Sequence, residues 1–172
     1  VPQDRINKTQ NEITNIKTTK KIIVTSGGKK RQESVKKGLL CTSDITELVC
    51  IHDGARPFVT EELIKNSIDP CSNNDGVIIA LPNYDTLKVC VQGYVKKTID
   101  RKNTWRAQTP QTFWKMKLLQ AFNHAEKNKS HFTDEASIME ALGYQISVVH
   151  GHYNNFKITS PIDWERAKKI IL

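Results

Sequence analysis

Residues 48 to 68 read LVCIHDGARPFVTEELIKNSI, and three patterns follow one another in that stretch. Leu48-Val49-Cys50-Ile51 is a short, unbroken apolar run with the β-branched content of a strand covered on both faces. It stops at His52-Asp53-Gly54-Ala55-Arg56-Pro57. Thr60 then offers an N-cap and Glu61 and Glu62 an acidic first turn, which predicts a helix over Glu61–Ile68. Strand, polar loop and helix together form the repeating unit of an α/β domain. In such open sheets the ligand crevice lies outside the carboxyl ends of the strands. Asp53 has the carboxylate for a divalent cation, Gly54 lets a ligand approach the backbone, and Arg56 can fork onto a phosphate. Taken alone, the same residues also suit an ordinary solvated turn.

Working outward, Lys21–Thr25, Gly76–Leu81 and Gln145–Val149 are three more apolar runs that read as strands. Helices are expected at Arg31–Leu40, at Phe113–Lys127 (with Leu118, Leu119, Phe122 and Ala125 in helical register) and at Asp134–Leu142 between Thr133 and Gly143. A last helix opens on Ser160-Pro161-Ile162-Asp163 and runs through Trp164, Ala167, Ile170 and Ile171. Phe113, Trp114 and Phe122 are expected on one helix, as core or interface. The alternation predicts an α/β fold with a mostly parallel sheet. Residues 86–109 break it: Leu87, Val89 and Val91, then Tyr94 and Val95, alternate with polar residues around Gln92-Gly93, which predicts a projecting β-hairpin arm. Thr109-Pro110-Gln111 suits neither a helix nor a central strand.

The chain has 172 residues, 38% of them hydrophobic, enough for one domain with a substantial core. Lys and Arg outnumber Asp and Glu by 26 to 18, a net charge of +8, so the surface attracts anions. The lysine pairs are scattered without interleaved aromatics, which argues against a nucleic-acid partner. No apolar run approaches the roughly 20 residues a bilayer requires, so no membrane partner is expected. Cys41, Cys50, Cys71 and Cys90 form no C-x-x-C pair and read as reduced core thiols of an intracellular protein. His150 and His152 share a strand face but lack a third metal ligand at suitable spacing, and His52 reads as packing or hydrogen-bonding beside Asp53.

Other strand ends also deliver polar groups. VTSGGKKRQESV (24–35) places Gly27-Gly28 after a strand and Ser34 on the next helix, where backbone N–H groups can meet a nucleotide. Asp85, Thr86 and Lys88 follow one apolar run, and Asn155 and Lys157 follow another. The motifs S-G-G-x-x-R-x-x-S-V-x-x-G-L (26–39), H-D-G-A-R-P (52–57), D-T-L-K (85–88), D-R-x-x-x-W-x-A-Q-T-P-Q-x-F (100–113), T-D-E-A-S (133–137) and N-x-K-I-T-x-P-x-D (155–163) occur in that order. In this the chain, from Val24 to Leu172, resembles the 2-C-methyl-D-erythritol 4-phosphate cytidylyltransferases of the non-mevalonate isoprenoid pathway, within the wider nucleotidyltransferases.

The resemblance implies a three-layer Rossmann-like nucleotidyltransferase domain that transfers CMP from CTP to 2-C-methyl-D-erythritol 4-phosphate with release of pyrophosphate. It implies Gly27, Gly28 and Ser34 at the nucleotide, and Asp53 as a catalytic residue and ligand of Mg2+ or another divalent cation. Arg56, Thr86, Arg101, Thr109 and Lys157 would hold the sugar phosphate, with Lys157 also catalytic. A homodimer through the hairpin arm is implied, with Arg101 serving the partner's site, and a cytoplasmic location, or a plastid one in a eukaryote. The family opens with a strand and a glycine-rich loop carrying an arginine, then a lysine, and this sequence holds no such loop. The expectation is therefore one nucleotidyltransferase domain over 1–172, N-terminally incomplete and inactive by itself. Two alternatives remain: a ribitol-5-phosphate cytidylyltransferase, which shares H-D-x-x-R-P-F and Q-T-P-Q-T-F, and a non-catalytic nucleotide- or polyanion-binding module.

Overall fold

The computed structural model describes residues 1–128 and 132–171, so Leu172, the end of the expected domain, lies outside the described residues. In chain order it runs α1 (Ile6–Ile13), α2 (Arg31–Leu40), β1 (Leu48–Ile51), α3 (Glu61–Ile68), β2 (Gly76–Pro82), β3 (Leu87–Val91), β4 (Tyr94–Ile99), β5 (Trp105–Trp114), α4 (Lys115–Lys127), α5 (Glu135–Glu140), β6 (Ile146–His150) and α6 (Pro161–Ile171). Four strands form one sheet in the order β1-β5-β2-β6, and β3 and β4 form a second. The chain falls into two compact units, Val1–Val49 with Phe113–Gln145, and Cys50–Thr112 with Ile146–Leu172.

In the second unit, β2 pairs in parallel with β6, from Gly76 opposite Ile146 to Ala80 opposite His150. Val77, Ile79 and Ala80 of β2 are fully buried, as a near-continuous apolar run in a parallel sheet requires. The Thr60 hydroxyl accepts the Leu63 N–H at 3.2 Å and caps α3. β3 and β4 pair antiparallel, and the turn between them takes positive φ at Gln92 (49°) and Gly93 (84°), the pair of left-handed residues a tight hairpin needs. The antiparallel pair drawn over 86–109 closes at Ile99; Arg101–Asn103 form a 3-10 turn and Trp105 onward enters the four-stranded sheet.

The expected break at Thr109-Pro110-Gln111 is thus corrected: these residues lie in β5, an inner strand. Thr109 and Gln111, and the next residue Thr112, are polar yet buried because their side chains have partners in the same unit. Thr112, for example, shares its hydroxyl with Ser67 at 2.8 Å, and Ser67 also donates to the Ile64 carbonyl.

In the first unit, α4 and α5 bury Leu118, Ala121, Phe122, Ala125, Ala136, Ile138 and Met139. Asp134, not Thr133, caps α5, through a reciprocal box with Ser137. The α2 residue Arg31 sets one guanidinium nitrogen against both carboxylate oxygens of buried Glu135, at 2.7 and 2.8 Å. Burial pushes the Glu135 carboxyl above its usual range, and the Arg31 charge opposes that rise.

Three further expectations are revised. Lys21–Thr25 is not assigned to either sheet; beside it Val1 donates to Thr25 O at 3.0 Å and its carbonyl accepts from Gly27 N–H at 2.7 Å. Phe113 and Trp114 end β5 rather than begin α4. Among the four cysteines only Cys71 is buried; Cys41, Cys50 and Cys90 are exposed thiols. Among the described residues no helix is long and apolar enough to cross a membrane.

Candidate active site

β1 ends at Ile51, and the next residues fold into a hydrogen-bonded turn in which Arg56 N–H donates to Asp53 O at 2.9 Å. The turn gathers the charges. Asp53 Oδ2 lies 3.2 Å from Lys157 Nζ and 3.6 Å from Arg56 Nε. The Asp53 and Arg56 side chains are 13% and 11% exposed and that of Lys157 40%, so the ammonium reaches water while the other two groups sit below it.

A hydrogen-bond chain sets the Asp53 backbone. Its N–H donates to Thr109 Oγ1 at 3.0 Å, Thr109 Oγ1 meets His52 Nδ1 at 3.0 Å, and His52 Nε2 meets the Arg56 carbonyl at 2.9 Å. A carbonyl oxygen only accepts, so Nε2 carries the proton. In the neutral ring Nδ1 is then the acceptor, and the Thr109 hydroxyl donates to it. One hydroxyl thus serves both the loop's backbone and its histidine.

A second loop follows β6 and carries Lys157. Gly151 lets it leave the sheet: a Cβ there would lie 2.4 Å from Gln108 Oε1 and 2.8 Å from Ile79 Cγ2. Arg56 Nη1 donates to the Asn155 carbonyl at 2.9 Å. Fully buried Asn155 donates its amide to Thr109 O at 2.8 Å and to Gln108 Oε1 at 3.3 Å, while Gln108 Nε2 donates to His152 O at 3.1 Å. Ile158 N–H donates to Ala55 O at 2.8 Å, tying the two loops together beside Lys157. Beyond it, Asp163 Oδ2 accepts from the N–H and hydroxyl of both Thr159 and Ser160 at 2.8–3.0 Å. The Ser160 hydroxyl above all, then the Thr159 N–H, hold the Asp163 carboxyl down to about 2.

The structure therefore brings together Asp53, Arg56, Thr109 and Lys157. Thr86 and Arg101 lie at the base of the hairpin, where Arg101 donates to the Tyr84 carbonyl and Asn83 N–H donates to Thr104 O at 2.9 Å. Gly27, Gly28 and Ser34 belong to the first unit. There Gly28 N–H donates to Ser34 Oγ at 2.9 Å and Lys29 N–H to Glu33 Oε2 at 2.8 Å, so two N–H groups expected to face a ligand are engaged by side chains. They border an open concavity of about 750 Å³ with Val1, Gln3 and Lys37.

Gln108 is the residue that the sequence reading did not single out; its signal is an amide inside a buried strand beside a glycine that must pass close to it. His150 lies edge-on to the Trp105 ring at 5.0 Å, and His152 Nδ1 accepts from Asn154 N–H, so both have structural partners. Among the described residues no cluster of three or more His, Cys, Asp or Glu could hold a metal ion. Asp53 is the one carboxylate of the cluster described, and its Oδ2 faces the Lys157 ammonium and the Arg56 guanidinium.

A model of the 2-C-methyl-D-erythritol 4-phosphate cytidylyltransferase family (IspD) matches residues 5–172. The chain is 43% identical over 141 residues to the protein of that name from Syntrophus aciditrophicus, covering 81% of this chain and 60% of the relative. It is 40% identical over 152 residues to the Clostridioides difficile protein of the same name, covering 88% and 64%. The chain thus spans 60–64% of the length of these curated relatives. The crystal structure of a 4-diphosphocytidyl-2C-methyl-D-erythritol synthase from Anaerococcus prevotii superimposes with a TM-score of 0.89 at 30% identity, covering 99% of this chain and 78% of that one. A Francisella tularensis 2-C-methyl-D-erythritol 4-phosphate cytidylyltransferase gives 0.81 at 33% identity, covering 91% and 76%. The expected α/β fold with a mostly parallel sheet is the fold of these structures.

Proposed function

This chain belongs to the 2-C-methyl-D-erythritol 4-phosphate cytidylyltransferase family, and we propose that its site serves the transfer of CMP from CTP to 2-C-methyl-D-erythritol 4-phosphate. The observation that carries the reading is the cluster of Arg56 and Lys157 around Asp53 at the strand ends.

In this reaction an oxygen of the sugar phosphate forms a bond to the α-phosphorus of CTP, and the bond from that phosphorus to the bridging oxygen breaks, releasing pyrophosphate. The attacking oxygen is already an anion, so no general base is needed. The difficulty is electrostatic, since unit charges about 4 Å apart repel by about 4 kcal/mol at an effective dielectric near 20. Lys157, partly in water, meets the sugar phosphate; Arg56, fixed by Asn155, adds a charge that does not reorganise. Asp53 orients Lys157 and would hold a divalent cation, which would supply positive charge against the phosphates. Gly27, Gly28 and Ser34 border an open concavity and would hold the nucleotide there by exchanging the bond between Gly28 N–H and Ser34 Oγ for the ligand; Thr86, Thr109 and Arg101 complete the sugar-phosphate pocket, with Arg101 acting on a partner copy. The exposed apolar residues of the hairpin, Val91, Tyr94 and Val95 at 51%, 81% and 61%, support that dimer contact.

Calorimetric titration of the chain with 2-C-methyl-D-erythritol 4-phosphate and with ribitol 5-phosphate tests the reading. The first should bind the more tightly, and Lys157→Ala should weaken it at least ten-fold. Equal affinity for the two sugar phosphates, or binding indifferent to Lys157→Ala, would overturn it.

A further inference from the structure

The turn just before Lys157 is gripped from two sides. Arg56 holds it through the Asn155 carbonyl. The second grip comes from α6, where Arg166 Nη2 donates to the Tyr153 carbonyl at 2.9 Å while its guanidinium lies over the Phe156 ring, Cζ 4.0 Å from the centroid. Phe156 also packs on Phe58, with centroids 5.6 Å apart. Tyr153 and Phe156 bracket the turn, and Phe156 is the residue before Lys157. The frame that carries Arg166 is itself fixed, because the Asp163 carboxylate locks the first turn of α6 to Thr159 and Ser160, two and three residues beyond Lys157. Arg166 is exposed, so it adds little to the core, yet both contacts described fall on the residues that aim Lys157.

We propose that Arg166 is a positioning residue for Lys157, acting through Phe156 and the Tyr153 carbonyl. The inference rests on the reading that Lys157 meets the sugar phosphate. An exposed cation over a half-buried ring and a single charged hydrogen bond are modest interactions, so the effect should be moderate.

The test combines Arg166→Ala, Arg166→Lys and Lys157→Ala, singly and as the Arg166→Ala/Lys157→Ala pair, with titration by 2-C-methyl-D-erythritol 4-phosphate and amide exchange at Ile158. Arg166→Ala should weaken binding about five- to ten-fold while leaving the melting midpoint within a few degrees. In the Lys157→Ala background the same change should alter binding less than two-fold, because the ammonium it aims is gone. Arg166→Lys, which keeps the charge but cannot hold the carbonyl and the ring together, should recover only part of the loss, and the Ile158 amide should exchange at least ten-fold faster in Arg166→Ala. An equal loss in both backgrounds would mark Arg166 as merely structural and overturn the proposal, as would unchanged binding. If the unsubstituted chain fails to bind the sugar phosphate, the functional reading falls by itself, and unchanged Ile158 exchange in Arg166→Ala then refutes the positioning role independently.

Discussion

Thr109→Val removes one hydroxyl and keeps nearly the same shape at a residue only 4% exposed. Two groups lose their partner, the Asp53 N–H and His52 Nδ1, each now 3.0 Å from that oxygen. A buried polar group left unpaired costs about 1–3 kcal/mol. Both groups are only partly buried, so about 1 kcal/mol each, about 2 kcal/mol in total, is expected. For a chain of this size that is a fall of about 4–8 °C in melting midpoint. Thr109→Ser keeps both bonds and loses one methyl, about 1 kcal/mol. Urea unfolding should therefore rank unsubstituted, Ser, Val in falling order. Affinity for the sugar phosphate should follow the hydroxyl, retained in Ser and weakened several-fold in Val, because the hydroxyl sets the backbone of Asp53. A Val variant as stable as the Ser variant, or one that binds as well, would refute the hydrogen-bond chain as the device that orders this loop.

Glu135 titrates above its usual range because it is buried, so its contribution to stability is full below about 4.5 and declines as pH rises through its folded value. Measured against Glu135→Gln, the unsubstituted protein should gain relative stability in urea between pH 7 and pH 5; a relative loss would mean that the Arg31 charge wins instead. Asp163, held near 2 by Ser160 and Thr159, contributes above its ordinary 3.8 and loses that contribution as pH falls through about 2. Asp163→Asn should flatten the acid limb of a pH melt in that window, and an unchanged limb would count against the cap. Burial, with the Cys50 thiol nearby adding to it, raises Cys71 to about 11. A thiol reagent at pH 8 should titrate Cys41, Cys50 and Cys90 in the native protein and Cys71 only after denaturation; immediate labelling of all four would contradict its burial.

Much of the fold is legible where a local pattern and its physical cause coincide. Thr60 before Glu61 and Glu62, and Gln92-Gly93 between alternating runs, read directly because capping and left-handed turns are decided by neighbours in sequence. Lys21–Thr25 misleads because an apolar run becomes a ladder strand only where its backbone groups find ladder partners, and apolar content by itself does not report that pairing. β5 is hidden for the opposite reason: Gln108, Thr109 and Thr112 look like loop residues, and partners distant in sequence make their burial tolerable. α1 escapes notice because none of its residues is buried, Ile6, Thr9 and Ile13 being only half-buried. At the site, Asp53, Arg56 and Lys157 are visible as charges after apolar runs, whereas Arg166 is not, since its partners are a backbone carbonyl and a ring across a turn.

The cluster around Asp53 also bears on how the protein folds. The bond from Asp53 to Thr109 spans 56 positions, that from Asn155 to Thr109 spans 46, and that from Arg56 to Asn155 spans 99. Contacts so distant in sequence close large loops before they are rewarded, whereas the β3–β4 hairpin closes almost at once. The hairpin can therefore form while the chain is otherwise open, and the pocket comes into being only when the loops after β1 and β6 have both met β5. On the proposed function, sugar-phosphate binding should return during refolding later than the hairpin, once the loops after β1 and β6 have met β5.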